Sequence, residues 1–109
     1  MAHGPGKWKP ADATKRINGC AAGDDLTISY ADHAKERLIE RDLLVKDLIH
    51  LLKRGFVYEE AEQSTRSDYF KYRIEGTTPN SDGRTVRAVV IPTGGCEIKI
   101  VTVMWRDEK

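Results

Sequence analysis

A chain of 109 residues has room for one domain with a real core and not for two ordinary ones. Its residues are 39% hydrophobic and 32% charged, which excludes an intrinsically disordered chain, and a formal charge of only +1 excludes a uniformly basic, histone-like coat. No apolar run approaches the roughly 20 residues that span a bilayer, and Met1-Ala2-His3-Gly4-Pro5-Gly6 lacks the apolar stretch of a secretion signal, so a cytoplasmic protein without membrane contact is expected. Cys20 and Cys96 stand far apart with neither a CxxC pair nor clustered histidines, a pattern that predicts reduced thiols rather than a zinc site or a disulfide framework.

In chain order, residues 1 to 9 are rich in glycine and lysine and are expected to be poorly ordered, with Trp8 as their only anchor. Pro10 suits the first position of a helix, and Ala11 to Asn18 can make two turns before Gly19 ends them. Residues 1–25 thus read as an extension with a short helix, followed by an α+β domain over 26–109. After a Gly23-Asp24-Asp25 turn, Leu26 to Tyr30 alternates β-branched and aromatic residues and predicts a strand. Asp32 is then a candidate N-cap for a short helix on which His33, Arg37 and Arg41 fall at i, i+4 and i+8, so that they stack along one face while Ala34, Leu38 and Ile39 turn inward.

Asp42 is a candidate N-cap for a second helix, Leu43 to Arg54, whose Leu44, Val45, Leu48, Ile49, Leu51 and Leu52 form a broad apolar face, with Gly55 at its end. His50 within it has no partner for metal or catalysis at helical spacing and reads as structural. The remainder predicts strands at Phe56 to Ala61, Tyr69 to Glu75, Arg84 to Ile91 (ended by Pro92) and Glu97 to Trp105, separated by turn-rich Thr77 to Gly83 and by Thr93-Gly94-Gly95. The order β-α-α-β-β-β-β predicts two helices packed on one face of a curved, antiparallel sheet of four to five strands, in the α+β class.

Period-two alternation sorts the strand side chains into two faces. Phe70, Tyr72 and Ile74 oppose Lys71, Arg73 and Glu75; Val86, Ala88 and Val90 oppose Thr85, Arg87, Val89 and Ile91; Ile98, Ile100, Thr102 and Met104 oppose Glu97, Lys99, Val101, Val103 and Trp105. One face can meet the helices and the other can gather Lys71, Arg73, Arg87 and Lys99 into a cationic groove. Such charges also serve simply to keep a solvated sheet face soluble. Likewise Glu36 and Glu40 can neutralise Lys35, Arg37 and Arg41 in ordinary surface ion pairs.

The segment Tyr30 to Asp42 with its His33-Ala34-x-x-Arg37-x-x-x-Arg41 spacing, the Leu48 to Gly55 helix end, Lys71-Tyr72-Arg73-Ile74-Glu75-Gly76 and Ile98-Lys99-Ile100-Val101-Thr102-Val103 resemble a family of small bacterial domains of unknown function placed beside the RelE/ParE and BrnT toxins. The resemblance spans residues 26 to 105 and implies a RelE-like fold. It further implies a toxin of the toxin-antitoxin kind that cleaves RNA, on or off the ribosome, by general acid-base chemistry without metal or other cofactor, held in check by a protein antitoxin. His33 would transfer the proton, a role suited to a side chain that exchanges protons near neutral pH. Arg37, Arg41, Arg73 and Arg87 would clamp the scissile phosphate, with Lys71 adding charge or the second proton transfer, and Lys99 and Arg84 binding RNA. The alternatives are a non-catalytic module that engages an antitoxin, a nucleic acid or another subunit, and a ParE-like inhibitor of DNA gyrase.

Overall fold

The computed structural model describes residues 5–66 and 68–108; the expectation for residues 1 to 9 therefore falls partly outside the described residues. Nine elements follow one another: α1 (Pro10–Ala22), β1 (Thr27–Tyr30), α2 (Ala34–Glu40), α3 (Val45–Arg54), β2 (Phe56–Val57), β3 (Glu62–Gln63), β4 (Phe70–Gly76), β5 (Val86–Gly94) and β6 (Glu97–Trp105). The architecture is α+β, as expected, and the helix expected in the extension is present but longer, Pro10–Ala22 rather than ending at Asn18.

The first helix runs past Gly19 because tertiary contacts outweigh glycine's low helix propensity. Ala13, Ile17 and Ala21, at i, i+4 and i+8, are all buried in the core, and α1 packs against α3. Its polar side chains complete its neighbours. Asn18 Nδ2 donates to the carbonyls of Leu52 at 2.7 Å and Gly55 at 3.3 Å, satisfying the open end of α3, and Thr14 Oγ1 accepts the Val57 N–H at 2.8 Å. Ahead of α1, Trp8 stacks on Tyr72 with ring centroids 5.7 Å apart, and the Trp8 backbone N–H donates to the Tyr72 hydroxyl at 2.7 Å.

Both predicted N-caps are displaced. His33, not Asp32, occupies the N-cap of α2, in a left-handed conformation with φ 70°. Leu44, not Asp42, precedes α3, and the cap is supplied from within the helix: Asp47 Oδ2 accepts the Leu44 N–H at 2.7 Å. Asp42 instead adopts φ 55° in the link between the two helices. Leu48, Leu51 and Leu52 turn into the core. Leu44 and Val45, expected on the same apolar face, and Ile39, expected to turn inward from α2, are instead exposed, because α3 starts only after Leu44 and both helices present a narrower face to the core.

Six strands form one mixed sheet in the order β1-β6-β5-β4-β2, with β3 pairing β4 farther along the edge that β2 also occupies. The expectation of a purely antiparallel sheet fails at one edge, where β1 runs parallel to β6 from Thr27↔Glu97 to Tyr30↔Ile100. Reading neighbouring strands as hairpins cannot reveal a pairing between the two ends of the domain. Of the strand expected over Phe56 to Ala61 only Phe56–Val57 forms (β2), β3 lies beyond it at Glu62–Gln63, and β5 continues through Pro92 to Gly94 rather than stopping at the proline.

A β-bulge changes the two faces of β6. Val89 pairs with Thr102 and Val90 with Ile100, so Val101 is skipped and the alternation beyond it reverses. Val103, expected outside, is buried in the core opposite Ala88, and Trp105 packs against that core opposite Val86. Thr102 and Met104 pass to the outer face, in register with Val89 and Arg87.

Cys20 in α1 and Cys96 in the β5–β6 turn form a disulfide, with Cα atoms 5.3 Å apart, which corrects the expectation of reduced thiols. Packing Ile17 and Ala21 against the core brings the end of α1 to this turn, a proximity that spacing in the sequence does not disclose.

Gly55 is required by crowding rather than by a left-handed turn, since its φ is −76°. A Cβ there would lie 2.5 Å from the Leu51 carbonyl oxygen and 2.8 Å from Ile74 Cγ1. Gly55→Ala is therefore expected to destabilise the fold by about 1–3 kcal/mol, as overpacking does, measurable as a lower urea midpoint at unchanged m-value.

Candidate nucleic-acid interface

The sheet presents its outer face in cross-strand rows. One row runs Phe56, Glu75, Arg87, Met104 across β2, β4, β5 and β6; the next runs Arg73, Val89, Thr102; beyond it Ile91 opposes Lys99, and Lys71 opposes Glu62 of β3. Val89 is buried here, outside the core cluster. The strands thus carry Lys71, Arg73, Arg87 and Lys99 on one face, as alternation predicted. Carboxylates share that face. Arg73 pairs with Glu62, while Arg87 Nε donates to Glu75 Oε2 at 2.8 Å. Arg106 Nε lies 3.3 Å from the other oxygen of Glu75, so this buried carboxylate is compensated by two guanidinium groups. Lys71 and Lys99 have no carboxylate partner among the described residues.

At the end of β4 the face runs into a cleft of about 440 Å³. His50 and Arg54 enter it from α3, Phe56 and Tyr58 from β2 and just beyond, Glu75, Gly76 and Thr77 from the end of β4, and Thr85 and Arg106 from the far side. The close approach of Gly76 to Gly55, where an added Cβ on Gly76 would sit 3.4 Å from the Gly55 Cα, sets the end of α3 beside that of β4. Phe56 and Tyr58 stand side by side, centroids 6.1 Å apart, both largely exposed. Thr85 and Arg106 also line a second cleft with Gly83, Arg84 and Asp107. Arg84 lies 4.1 Å over the Trp105 ring and donates to Asp107 at 2.8 Å, and that hydrogen bond holds the Asp107 carboxyl below its ordinary range.

The helical stripe forms a separate cluster. His33 is exposed, its Nδ1 3.1 Å from Glu36 Oε2. Arg37 donates to both oxygens of Glu40. Arg41 is half-buried and grips Glu108, with Nε donating to Oε1 at 2.9 Å, and this bond together with the Trp105 N–H lowers the Glu108 carboxyl. Arg41 thereby fastens the residues after β6 to the end of α2. Among the described residues, no hydrogen bond or ion pair joins His33, Arg37 or Arg41 to Lys71, Arg73 or Arg87. No group of three or more His, Cys, Asp or Glu gathers as a metal site among the described residues, and no described helix is long and apolar enough to cross a membrane.

A family model described as Domain of unknown function (DUF4258) matches residues 30–105. The chain belongs to this family. Comparison with curated proteins and with solved structures gives no match. The DUF4258 region begins at the last residue of β1 and ends at the last of β6, so it holds the outer face, most of the cleft and the helical stripe, while α1 with Cys20 precedes it. Membership agrees with the resemblance to a family of unknown function and carries no link to RelE/ParE or BrnT.

Within the DUF4258 domain the sequence singled out the strand cations but not the cleft. A signal for it existed: His50 and Arg54 are four residues apart on α3 and share a helical face. Arg106 carried none, because only the fold brings it to Glu75.

Proposed function

We propose that the DUF4258 domain binds single-stranded RNA across the outer face of its sheet. The observation that supports this reading is the row arrangement of Lys71, Arg73, Arg87 and Lys99, continued by Arg106 and bordered by the exposed rings of Phe56 and Tyr58. Guanidinium and ammonium groups hold phosphates, and aromatic faces accept unstacked bases. The carboxylates on the face keep net attraction modest, and binding is expected to weaken with salt in proportion to the phosphates contacted. Contact with about four phosphates gives a slope of log K on log salt near −3 for a single strand. Fluorescence anisotropy with a labelled single-stranded RNA tests this. Lys71→Ala with Lys99→Ala, two side chains without carboxylate partners, is expected to weaken binding about tenfold and to make the slope shallower by 1–2. Absence of binding at low salt would sink the reading.

A second reading is the toxin-type, metal-free endoribonuclease of RelE-like architecture that the sequence resemblance implies. Two imidazoles are available: His33, paired with the Glu36 carboxylate at the start of α2, and His50, which lines the cleft with Arg54 and Arg106. A nuclease of this kind moves the 2′-hydroxyl proton to a neutral imidazole as the 2′-oxygen attacks phosphorus, and returns a proton to the departing 5′-oxygen. Controlled expression in a bacterium separates the possibilities. Growth arrest with RNA fragmentation that His33→Ala abolishes supports cleavage centred on α2, the same loss in His50→Ala moves it to the cleft, and DNA damage with intact RNA supports gyrase inhibition instead. Rescue by a co-expressed neighbouring protein would add the antitoxin.

A further inference from the structure

We propose that the cleft where α3, β2 and β4 end is a nucleotide subsite, in which a base lies against Phe56 and Tyr58 and its phosphate between Arg54 and Arg106. The proposal deepens the RNA-binding reading and, for a strand rather than a free nucleotide, rests on it. Phe56 is 54% exposed and Tyr58 68%, an arrangement that leaves two adjacent rings in water unless something covers them. Their π-faces are suited to a base, which stacks on aromatic side chains whatever its identity.

The charge at the cleft floor suits a phosphate. Arg106 is largely exposed, and its one carboxylate partner among the described residues, Glu75, is already engaged by Arg87, so the group carries unspent positive charge. Arg54 has no carboxylate partner among the described residues. Its place in the last turn of α3 complements the helix dipole, but that effect asks only for a cation, not for one lining the same concavity as a second guanidinium. His50 adds a hydrogen-bonding ring. The volume of about 440 Å³ falls in the range of roughly 300–1,000 Å³ usual for small-molecule sites. The adjoining cleft, which shares Arg106, also holds Arg84, but that guanidinium is paired with Asp107 and adds no net charge to the subsite.

The test uses the full chain. Adenosine 5′-monophosphate and, separately, inorganic phosphate are titrated while backbone amide resonances are followed, and single-stranded RNA is titrated by anisotropy. The nucleotide is expected to shift the amides of His50, Tyr58 and Thr77, to bind at least tenfold more tightly than phosphate alone, and to lose tenfold or more in affinity in Arg54→Ala/Tyr58→Ala. Nucleotide that leaves those amides unmoved overturns the subsite in the wild-type protein, whatever the variant's stability. If Lys71→Ala/Lys99→Ala loses RNA affinity while Arg54→Ala/Tyr58→Ala keeps it, RNA binding stands and the subsite falls. If wild type binds no RNA yet the nucleotide moves the cleft amides, the subsite stands and the strand-binding reading falls.

Discussion

Asp47→Ala is expected to lower the unfolding free energy by about 2–4 kcal/mol, among the larger losses open to a single polar substitution in this chain. Asp47 is 1% exposed and sits at the third position of α3, where its carboxylate faces three donors: the Leu44 N–H at 2.7 Å, the Asn80 N–H at 2.8 Å and Asn80 Nδ2 at 3.0 Å. It thus joins the start of α3 to the loop between β4 and β5. That loop is itself closed by Ser81 Oγ, which accepts the Thr78 N–H at 2.9 Å and donates to the Thr78 carbonyl. Alanine would take the acceptor from all three donors, which belong to the exposed residues Leu44 and Asn80 and only partly regain water, and would remove a negative charge from a helix N-terminus. A thermal midpoint lower by about 10 °C or more is the corresponding readout.

The same group gives a pH signature. Burial by itself would raise the Asp47 carboxyl, but the hydrogen bonds from Leu44 and Asn80 outweigh it and hold the group below the 3.8 of an unperturbed aspartate. Because the folded value is the lower one, the stabilisation is complete above the unfolded value, near pH 4, and is lost as pH falls through the folded value. Asp47→Asn, which keeps one acceptor oxygen, is expected to be less stable than wild type above pH 4 and to converge with it in stronger acid. A constant gap between the two across that range would remove the ionised carboxylate from the explanation.

Asp47 also illustrates what the sequence conveys and what it hides. The strands β4 and β6, the helix α3 and the cationic face were legible because each rests on local periodicity: Lys71 and Arg73 alternate with Tyr72 and Ile74 whatever the rest of the chain does. Asp47 fell within an apolar run as an ordinary acidic residue, since its donors lie 3 and 33 positions away. The bulge at Val101 was hidden for a related reason. Val101, Val103 and Thr102 are all acceptable on either face, so no pattern marks where the alternation of β6 reverses. The parallel pairing of β1 and the assembly of Arg106 with Glu75 depend on the closed fold and have no local counterpart. Of the candidate site, the sheet cations were therefore visible while the cleft was not. The helical stripe was visible as a pattern, yet Arg41 is engaged by Glu108, a residue the pattern did not include.

Reduction of the Cys20–Cys96 disulfide is expected to cost about 2–4 kcal/mol of stability and to loosen α1 first. The bond links residues 76 positions apart, and closing a loop of that length restricts the unfolded chain by about 4 kcal/mol in the chain-entropy account, an upper figure in practice. In the folded protein the bond ties the end of α1, which precedes the DUF4258 region, to the turn between β5 and β6 inside it. Without the bond α1 retains Ala13, Ile17 and Ala21 in the core and Asn18 on the end of α3, so the fold should survive with a smaller margin. Urea unfolding with and without dithiothreitol measures the loss, and hydrogen exchange locates it: the amides of α1 should lose protection before those of β4 and β5. Because neither cysteine lines the outer face or the large cleft, RNA affinity should change little on reduction. Equal stability in both redox states, or two titratable thiols in the air-oxidised native protein, would show that packing alone holds α1 in place.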